Sequence, residues 1–340
     1  MFIPVLLFLA GLVLLIKGGD WFVDGATGIA GRFHLPELLI GATVVSIGTT
    51  LPEVMVSATS AVSGHSQIAY GNAIGSVICN TSLIAAITIA VCPGRAERKS
   101  LKLPVCFFFL AALIFAGIAY TTGSFTRLSG IVFLLLFLIY MLLTVWQMTR
   151  GGEKTSGNDI SSGYSDGADN SGNTADFTSD SAETTLVKEI FLLIVGAVLI
   201  AIGADLLVDN GTLIAEALGV PESVIALTFV ALGTSLPELV TAITSLSKGH
   251  GALSLGNVIG ANLFNLVLVC GISITLNPFS IPTSSTLFGM NASLVLDIPV
   301  MFAVMLILTV PALLHEKLYR AQGILLLVIY GAYCVTQFTM

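Results

Sequence analysis

Long apolar runs dominate the 340-residue chain and are separated by short polar loops. A helix that spans a membrane needs about 20 mainly apolar residues. Ten runs reach roughly this length, at residues 2–29, 35–63, 67–91, 103–121, 128–149, 188–214, 221–247, 252–276, 288–312 and 321–338. The pattern predicts an all-α integral membrane protein with ten transmembrane helices. The first run continues through Lys17 without a clear cleavage site, so we interpret it as a helix and not as a signal peptide.

A hydrophilic stretch, 151–187, divides the ten runs into five and five. It is rich in Ser, Gly, Asn and Asp and has almost no apolar residues, which predicts a disordered acidic loop. A plain linker is favoured over a calcium-binding loop, because the ligand spacing of an EF-hand is missing. The predicted organisation is a first five-helix repeat in 1–150, the loop in 151–187 and a second five-helix repeat in 188–340.

The two halves carry an internal repeat. Residues 48–80 and 233–265 are identical at 14 of 33 positions without a gap, so the chain contains a duplicated unit. The repeat includes the hexapeptides Gly-Thr-Thr-Leu-Pro-Glu and Gly-Thr-Ser-Leu-Pro-Glu and, in both copies, a later Gly-Asn-x-Ile-Gly. Because each unit has an odd number of helices, the two repeats are expected to face opposite ways across the membrane, as inverted repeats.

The distribution of basic residues predicts the orientation. With the N-terminus outside, the cytoplasmic loops and helix ends contain 11 of the 13 Lys and Arg residues, as the positive-inside rule requires. The sequence therefore predicts a multi-pass protein of the plasma (inner) membrane, with both termini outside and the loop 151–187 in the cytoplasm. The basic residues are scattered among short loops, so no nucleic-acid partner is expected, and the lipid bilayer is the expected surroundings.

Each repeat places an acid beside a helix-breaking proline within an apolar run: Glu53 follows Pro52, and Glu238 follows Pro237. An ionisable residue inside a membrane is costly and marks a functional site. Broken helices at matching positions of two halves indicate the binding site of a transporter. Hard cations such as Ca²⁺ prefer oxygen ligands. Each acid has two hydroxyl neighbours that supply such oxygens: Thr49 and Thr50 in one repeat, Thr234 and Ser235 in the other.

These paired motifs, in two inverted halves, resemble the repeats of the sodium/calcium exchangers of the cation/calcium antiporter superfamily, most closely the prokaryotic type. The resemblance implies ten helices, with four ion sites between the second, third, seventh and eighth. It implies as ligands the side chains of Thr49, Thr50, Glu53, Ser76, Asn80, Thr234, Ser235, Glu238 and Asn265, and the backbone carbonyls of Ser46 and Ala231. It also implies that Ca²⁺ and Na⁺ are transported substrates, without a cofactor or an enzymatic activity.

Two positions depart from the pattern of the family. Many relatives have Asp in place of Asn265 and Ser in place of Ala261. The resemblance ties that Asp to potassium use, so K⁺-independent exchange is expected here. The site then contains two formal negative charges, which match one Ca²⁺ or two Na⁺.

A second repeat-related set of acids consists of Asp20 and Asp24 in the first half and Asp205 and Asp209 in the second. Each pair lies four residues apart, on one face near the end of the first helix of its half. Two interpretations remain open at this point. The acids either form a mouth that concentrates cations on the ion pathway or belong to polar clusters at helix ends.

The sequence favours a secondary antiporter that exports Ca²⁺ against inward Na⁺ by alternating access. A proton-coupled calcium antiporter is the nearest alternative, because buried Glu residues can also carry protons. A cation channel fits broken helices in inverted repeats less well. An intramembrane hydrolase is not supported, because the sequence supplies no paired Asp motif, Ser/His pair or cluster of metal-ligating His residues.

Overall fold

The computed structural model describes residues 2–33, 35–64, 66–94, 96–152, 179–217, 235–282, 286–287 and 289–339. Within these ranges the chain is helical apart from short loops and four two-residue strands. The first half contains α1 (Phe2–Arg32), α2 (Glu37–Val62), α3 (Ser66–Cys79, continued by Asn80–Ala85 and Ala86–Val91), α4 (Arg98–Thr121) and α5 (Arg127–Gly152). The second half contains α6 (Ser179–Ala217), α7 (Leu236–Ser247), α8 (Gly251–Leu276), α9 (Ser293–His315) and α10 (Arg320–Thr339).

Eight helices in the described ranges, α1 to α6 with α8 and α9, are long and apolar enough to cross a membrane. The protein is therefore an all-helical membrane protein. The start of the predicted seventh span, 221–247, lies outside the described residues, and α7 occupies its second part. The predicted tenth span corresponds to α10, a 20-residue helix that is not among the eight.

Two boundaries differ from the sequence prediction. Helix α6 begins at Ser179, so the last part of the predicted loop 151–187 is helical. The apolar run predicted as a helix from 288 instead begins with a tight hairpin, in which β3 (Thr286–Leu287) pairs with β4 (Met290–Asn291). Gly289 lies in this turn with a φ of 77°, a conformation that favours glycine. Helix α9 follows, and its first turn, Ser293–Asp297, is π-helical.

Helices α1 and α6, which correspond in the repeat, pack along one another through glycines. Added Cβ atoms would lie within about 3 Å of the opposite backbone, so the two helices are in direct contact there. The facing positions are Gly11 with Gly203, Gly18 with Gly196, and Gly25 with Glu189. Because residue numbers rise along one helix as they fall along the other, α1 and α6 run antiparallel.

The second close contact joins α2 to α8 and brings the two halves together at the centre. Gly256 lies directly against the backbone of Leu38, and Gly260 lies against Ala42 and Ser46. Small residues at this spacing allow the helices to approach closely. Around this contact the largest apolar core includes α4, α5, α8 and α9, with Phe108, Phe133 and Phe264 fully buried. At one end of this core, β1 (Ser124–Phe125) pairs with β2 (Phe279–Ser280).

Candidate cation-binding site

Three helices of the site depart from regular α geometry at the positions that the sequence singled out. In α2, residues Gly41–Val45 form a π-helical turn, and Pro52 lies in the helix downstream. In α3 and α8, π-helical turns begin at Asn80 and at Asn265, which are repeat equivalents. A π turn breaks the regular backbone hydrogen-bond pattern, and such turns are frequent at functional sites.

Carbonyl groups next to these turns have identified partners in the protein. The Ser46 hydroxyl donates a 2.7 Å hydrogen bond to the Gly41 carbonyl, and the Tyr140 hydroxyl donates one of 2.9 Å to the Ala42 carbonyl. In α3 the Ser82 hydroxyl donates to the Ile78 carbonyl. Irregular backbone at membrane depth is tolerated where it is buried in protein or lines a cavity. These contacts show how the distortion of the helices is accommodated around the site.

Glu53 in α2 and Glu238 in α7 have fully buried side chains, and the two carboxyl groups interact electrostatically with one another. None of the four carboxyl oxygens has a well-formed hydrogen bond to a described residue, although the Thr49 side chain and the Glu53 carboxyl group lie close enough to Glu238 to interact with it. The salt bridges identified in the described ranges involve other acids. A buried, unpaired charge is strongly unfavourable, and two like charges together more so. The pair therefore requires a cation or protons.

The predicted neutral ligands share this environment. Thr49, Thr50, Ser76, Asn80, Ser235 and Asn265 are all at most 4% exposed. Buried polar atoms normally have a hydrogen-bond partner. Here the Thr50 and Ser235 hydroxyls and both side-chain amide atoms of Asn80 and Asn265 lack one among the described residues. Unpaired acceptor oxygens beside two carboxylates form the type of donor set that Na⁺ and Ca²⁺ take.

The remaining predicted ligands are placed less completely. Ser46 is fully buried, and its carbonyl oxygen lies 3.5 Å from the Thr49 hydroxyl. Thr234 and Ala231 lie outside the described residues. In the described ranges, no group of three or more His, Cys, Asp or Glu side chains is arranged to hold a metal ion. The candidate site therefore relies on hydroxyl and amide oxygens in addition to its two carboxylates.

Two asparagines from the Gly-Asn-x-Ile-Gly motifs stabilise the site in different ways. Asn257 in α8 accepts a 3.1 Å hydrogen bond on its side-chain oxygen from the Thr49 hydroxyl in α2 of the other half. The Ser46 hydroxyl oxygen lies 3.3 Å from the same side-chain oxygen. Asn72 in α3 donates to the Ser57 hydroxyl (2.8 Å) within its own half. The sequence gave no signal that Asn257 joins the two repeats.

The second set of acids lies at the protein surface. Lys248, in the turn between α7 and α8, forms salt bridges with Asp24 (2.8 Å) and Asp20 (3.5 Å) of α1. This pairing agrees with the polar-cluster interpretation for that pair. Asp205 and Asp209 are exposed on α6, and neither forms a salt bridge within the described ranges. The position equivalent to Lys248 in the first repeat is Ser63, so the two acidic pairs differ in their surroundings.

The sequence matches the family model described as sodium/calcium exchanger protein over residues 3–146 and 188–339, which is most of the chain. The chain belongs to the sodium/calcium exchanger family. It is 32% identical over 355 residues to the sodium/calcium exchanger MaX1 of Methanosarcina acetivorans, covering 98% of each protein. It is 33% identical to an uncharacterized membrane protein of Methanocaldococcus jannaschii, covering 95% of this chain and 94% of that protein.

Comparison with solved structures indicates the same family. The sodium-calcium exchanger NCX_Mj, in a structure obtained after soaking with Na⁺ and without Ca²⁺, superimposes with a TM-score of 0.76. The two proteins are 30% identical, and the match covers 98% of each chain. Members of this exchanger family are membrane transporters and not enzymes, and the ions that they exchange are their substrates. The predicted family and class of function are therefore confirmed.

Proposed function

We propose that the protein is a K⁺-independent antiporter that exports Ca²⁺ across the plasma membrane in exchange for inward Na⁺, by alternating access. The observation that carries the proposal is the pair of fully buried carboxylates, Glu53 and Glu238, whose oxygens have no partner among the described residues. Their charge of −2 is neutralised by one Ca²⁺ or by two Na⁺. The same carboxylate oxygens cannot fully coordinate Ca²⁺ and Na⁺ at the same time. Binding of one ion therefore displaces the other.

The proposed ligand set is the one that the resemblance to the exchanger family implies. Side-chain oxygens of Thr49, Thr50, Glu53, Ser76 and Asn80 come from the first half, and those of Thr234, Ser235, Glu238 and Asn265 from the second, with the carbonyls of Ser46 and Ala231. Ca²⁺ takes six to eight oxygens at flexible geometry, whereas Mg²⁺ requires a smaller octahedral site and gives up water reluctantly, so Mg²⁺ is selected against. Asn265 is neutral, so the site lacks a third carboxylate to attract K⁺.

Ten transmembrane helices in two inverted repeats are the architecture that fits this mechanism. The antiparallel contact of α1 with α6 is the relation that an inverted repeat requires of two corresponding helices. In the proposed orientation the termini are outside and residues 151–187 are cytoplasmic, as the basic residues favour. Alternating access then moves one group of helices against another around a fixed site.

Competition between the two ions at equilibrium tests the proposal. In purified protein, the dissociation constant for radioactive Ca²⁺ is expected to rise with Na⁺ more steeply than in direct proportion, because more than one Na⁺ is needed to match the charge of one Ca²⁺. The same concentrations of K⁺ or choline are expected to change it little, which controls for ionic strength. Ca²⁺ binding that responds equally to Na⁺ and K⁺ would contradict the proposal.

A proton-coupled calcium antiporter is the alternative that the same geometry allows, because two buried carboxylates can also be neutralised by protons. The two proposals differ in the gradient that drives Ca²⁺. Ca²⁺ flux under a single imposed Na⁺ or pH gradient separates them.

A further inference from the structure

A stripe of polar side chains runs along α7 from the candidate site towards the end of the helix. Glu238, Thr241 and Ser245 are spaced by three and four residues, which places them on one helix face. All three side chains are fully buried. At 1.5 Å of rise per residue, the stripe extends about 10 Å along the helix axis beyond Glu238.

The hydroxyl groups of this stripe are unusual within the structure. Serine and threonine hydroxyls within helices commonly bond to the carbonyl four residues earlier, as Thr144, Ser273 and Thr309 do here at 2.6–2.8 Å. Thr241 and Ser245 do not, and their hydroxyls have no hydrogen-bond partner among the described residues. Since buried hydroxyls are costly without a partner, these two require one that is not part of the described protein.

A cavity of about 280 Å³ adjoins the end of this helix. It is lined by residues from α3, α7 and α8, among them Thr88, Leu246 and Ser254. Ser254 is 2% exposed, and its hydroxyl is also unpartnered within the described ranges. Cys92 and Gly94 lie at the rim of the cavity and are exposed, so the cavity reaches the protein surface. In the proposed orientation this surface is cytoplasmic.

The equivalent face of the first repeat is different. Val56 corresponds to Thr241, and its side chain is exposed, where it would contact lipid. The buried hydroxyl next to Glu53 belongs to Ser57, which accepts a hydrogen bond from Asn72. Ser245 corresponds to Ser60, which is only partly buried. The row of fully buried, unpartnered hydroxyls among the described residues is therefore found on the α7 side.

We propose that Thr241, Ser245 and Ser254 form the cytoplasmic route by which a partly dehydrated Na⁺ or Ca²⁺ passes between Glu238 and the cavity. This inference rests on the proposed function and adds the path of the ions to it. Hydroxyl oxygens at intervals along the stripe replace the water that the cation loses, as hard cations require. The cavity at its end is large enough for several water molecules.

Cysteine accessibility tests the route without relying on transport. In a background with Cys92, Cys106 and Cys334 replaced by Ser, single variants T241C, S245C and S254C are reconstituted and exposed to a membrane-impermeant cationic methanethiosulfonate. The matched control is I243C, because Ile243 lies on the same helix but is half exposed on the outer face, where lipid excludes the reagent. Labelling is read from the mass of the protein.

The expected order of reaction rates is S254C, then S245C, then T241C, all faster than I243C and only with reagent on the cytoplasmic side. Labelling of S245C and S254C no faster than that of I243C would overturn the route. Thr241→Val, which removes a hydroxyl at nearly constant shape, is expected to lower Ca²⁺ flux by roughly tenfold, equivalent to about 1.4 kcal/mol, while equilibrium Ca²⁺ binding stays unchanged. Unaltered flux in this variant would also contradict the route.

The failure of the route and that of the proposed function are distinguishable. If the cysteine background shows no Na⁺-driven Ca²⁺ flux although wild type does, the substitutions are restored one at a time. If the wild-type protein shows no Na⁺-driven Ca²⁺ flux but the cysteine variants are labelled in the expected order, the proposed ion coupling is wrong and the polar route is supported. If wild type exchanges and the labelling order fails, the route alone is wrong.

Discussion

Replacing Glu53 or Glu238 with glutamine is expected to reduce Ca²⁺ transport by at least about 100-fold, because the remaining single charge cannot balance a divalent cation in a buried site. The substitution keeps the shape of the side chain and removes its charge. Both carboxyl groups are fully buried without a partner in the described part of the chain. The variants are therefore expected to fold, since a neutral amide is less costly to bury than a carboxylate.

The measurement combines flux in proteoliposomes with thermal unfolding in detergent. Glu37→Gln is the matched control, because Glu37 begins the same helix as Glu53 but is partly exposed and contacts His250. We expect this control to retain most of its flux. Near-normal Ca²⁺ flux in Glu53→Gln or Glu238→Gln would remove the two acids from the transport mechanism, whereas an unfolded variant would show that their role is structural.

The substitution Gly256→Val is expected to destabilise the protein by about 1–3 kcal/mol or more and to abolish exchange, because an enlarged side chain overpacks a close helix contact. A Cβ atom at Gly256 would overlap the backbone of Leu38, so α2 and α8 would have to separate. The hydrogen bond from Thr49 to Asn257 would then be broken. The expected result is a lowered unfolding temperature and a loss of cation binding.

Gly117→Val is the control for the effect of a β-branched residue in a helix. Gly117 lies in α4, and a Cβ atom there would meet no heavy atom within 4 Å. The effect on stability should therefore be limited to helix propensity, which favours valine over glycine by about a few tenths of a kcal/mol. Equal unfolding temperatures for the two variants would contradict the packing account of α2 and α8.

The elements that the sequence predicted well are those with a strong local signal. The length of an apolar run predicts a membrane helix, because the thickness of the bilayer sets the number of residues that a spanning helix needs. The burial of Glu53, Glu238, Asn80 and Asn265 agrees with a prediction made from an acid and its polar neighbours in an apolar run. That these atoms bind cations stays a prediction. The start of α9 was predicted wrongly, because the apolar residues around Gly289 form a hairpin that hydropathy cannot distinguish from a helix.

Features that depend on contacts between distant segments had no such signal. The π-helical turns at Asn80 and Asn265 have no common marker in the sequence, since the first begins Asn-Thr-Ser and the second Asn-Leu-Val. Lys248 and Asp20 form a salt bridge across 228 residues of sequence, and no local pattern pairs them. In the sequence, Thr241 and Ser245 cannot be distinguished from ordinary helix residues. Only the structure shows that both hydroxyls are buried and have no partner among the described residues. Contacts between residues that are far apart in the sequence can be identified only from the three-dimensional structure.

The most direct test of the central claim is Ca²⁺ flux in proteoliposomes with one imposed gradient at a time. The account predicts that a Na⁺ gradient drives Ca²⁺ in the opposite direction without K⁺ on either side, that a pH gradient alone does not, and that replacing Na⁺ with choline stops the flux. Proteoliposomes that contain the Glu238→Gln variant give the background Ca²⁺ flux. Ca²⁺ movement that follows the pH gradient and ignores Na⁺, or that requires K⁺, would contradict the account.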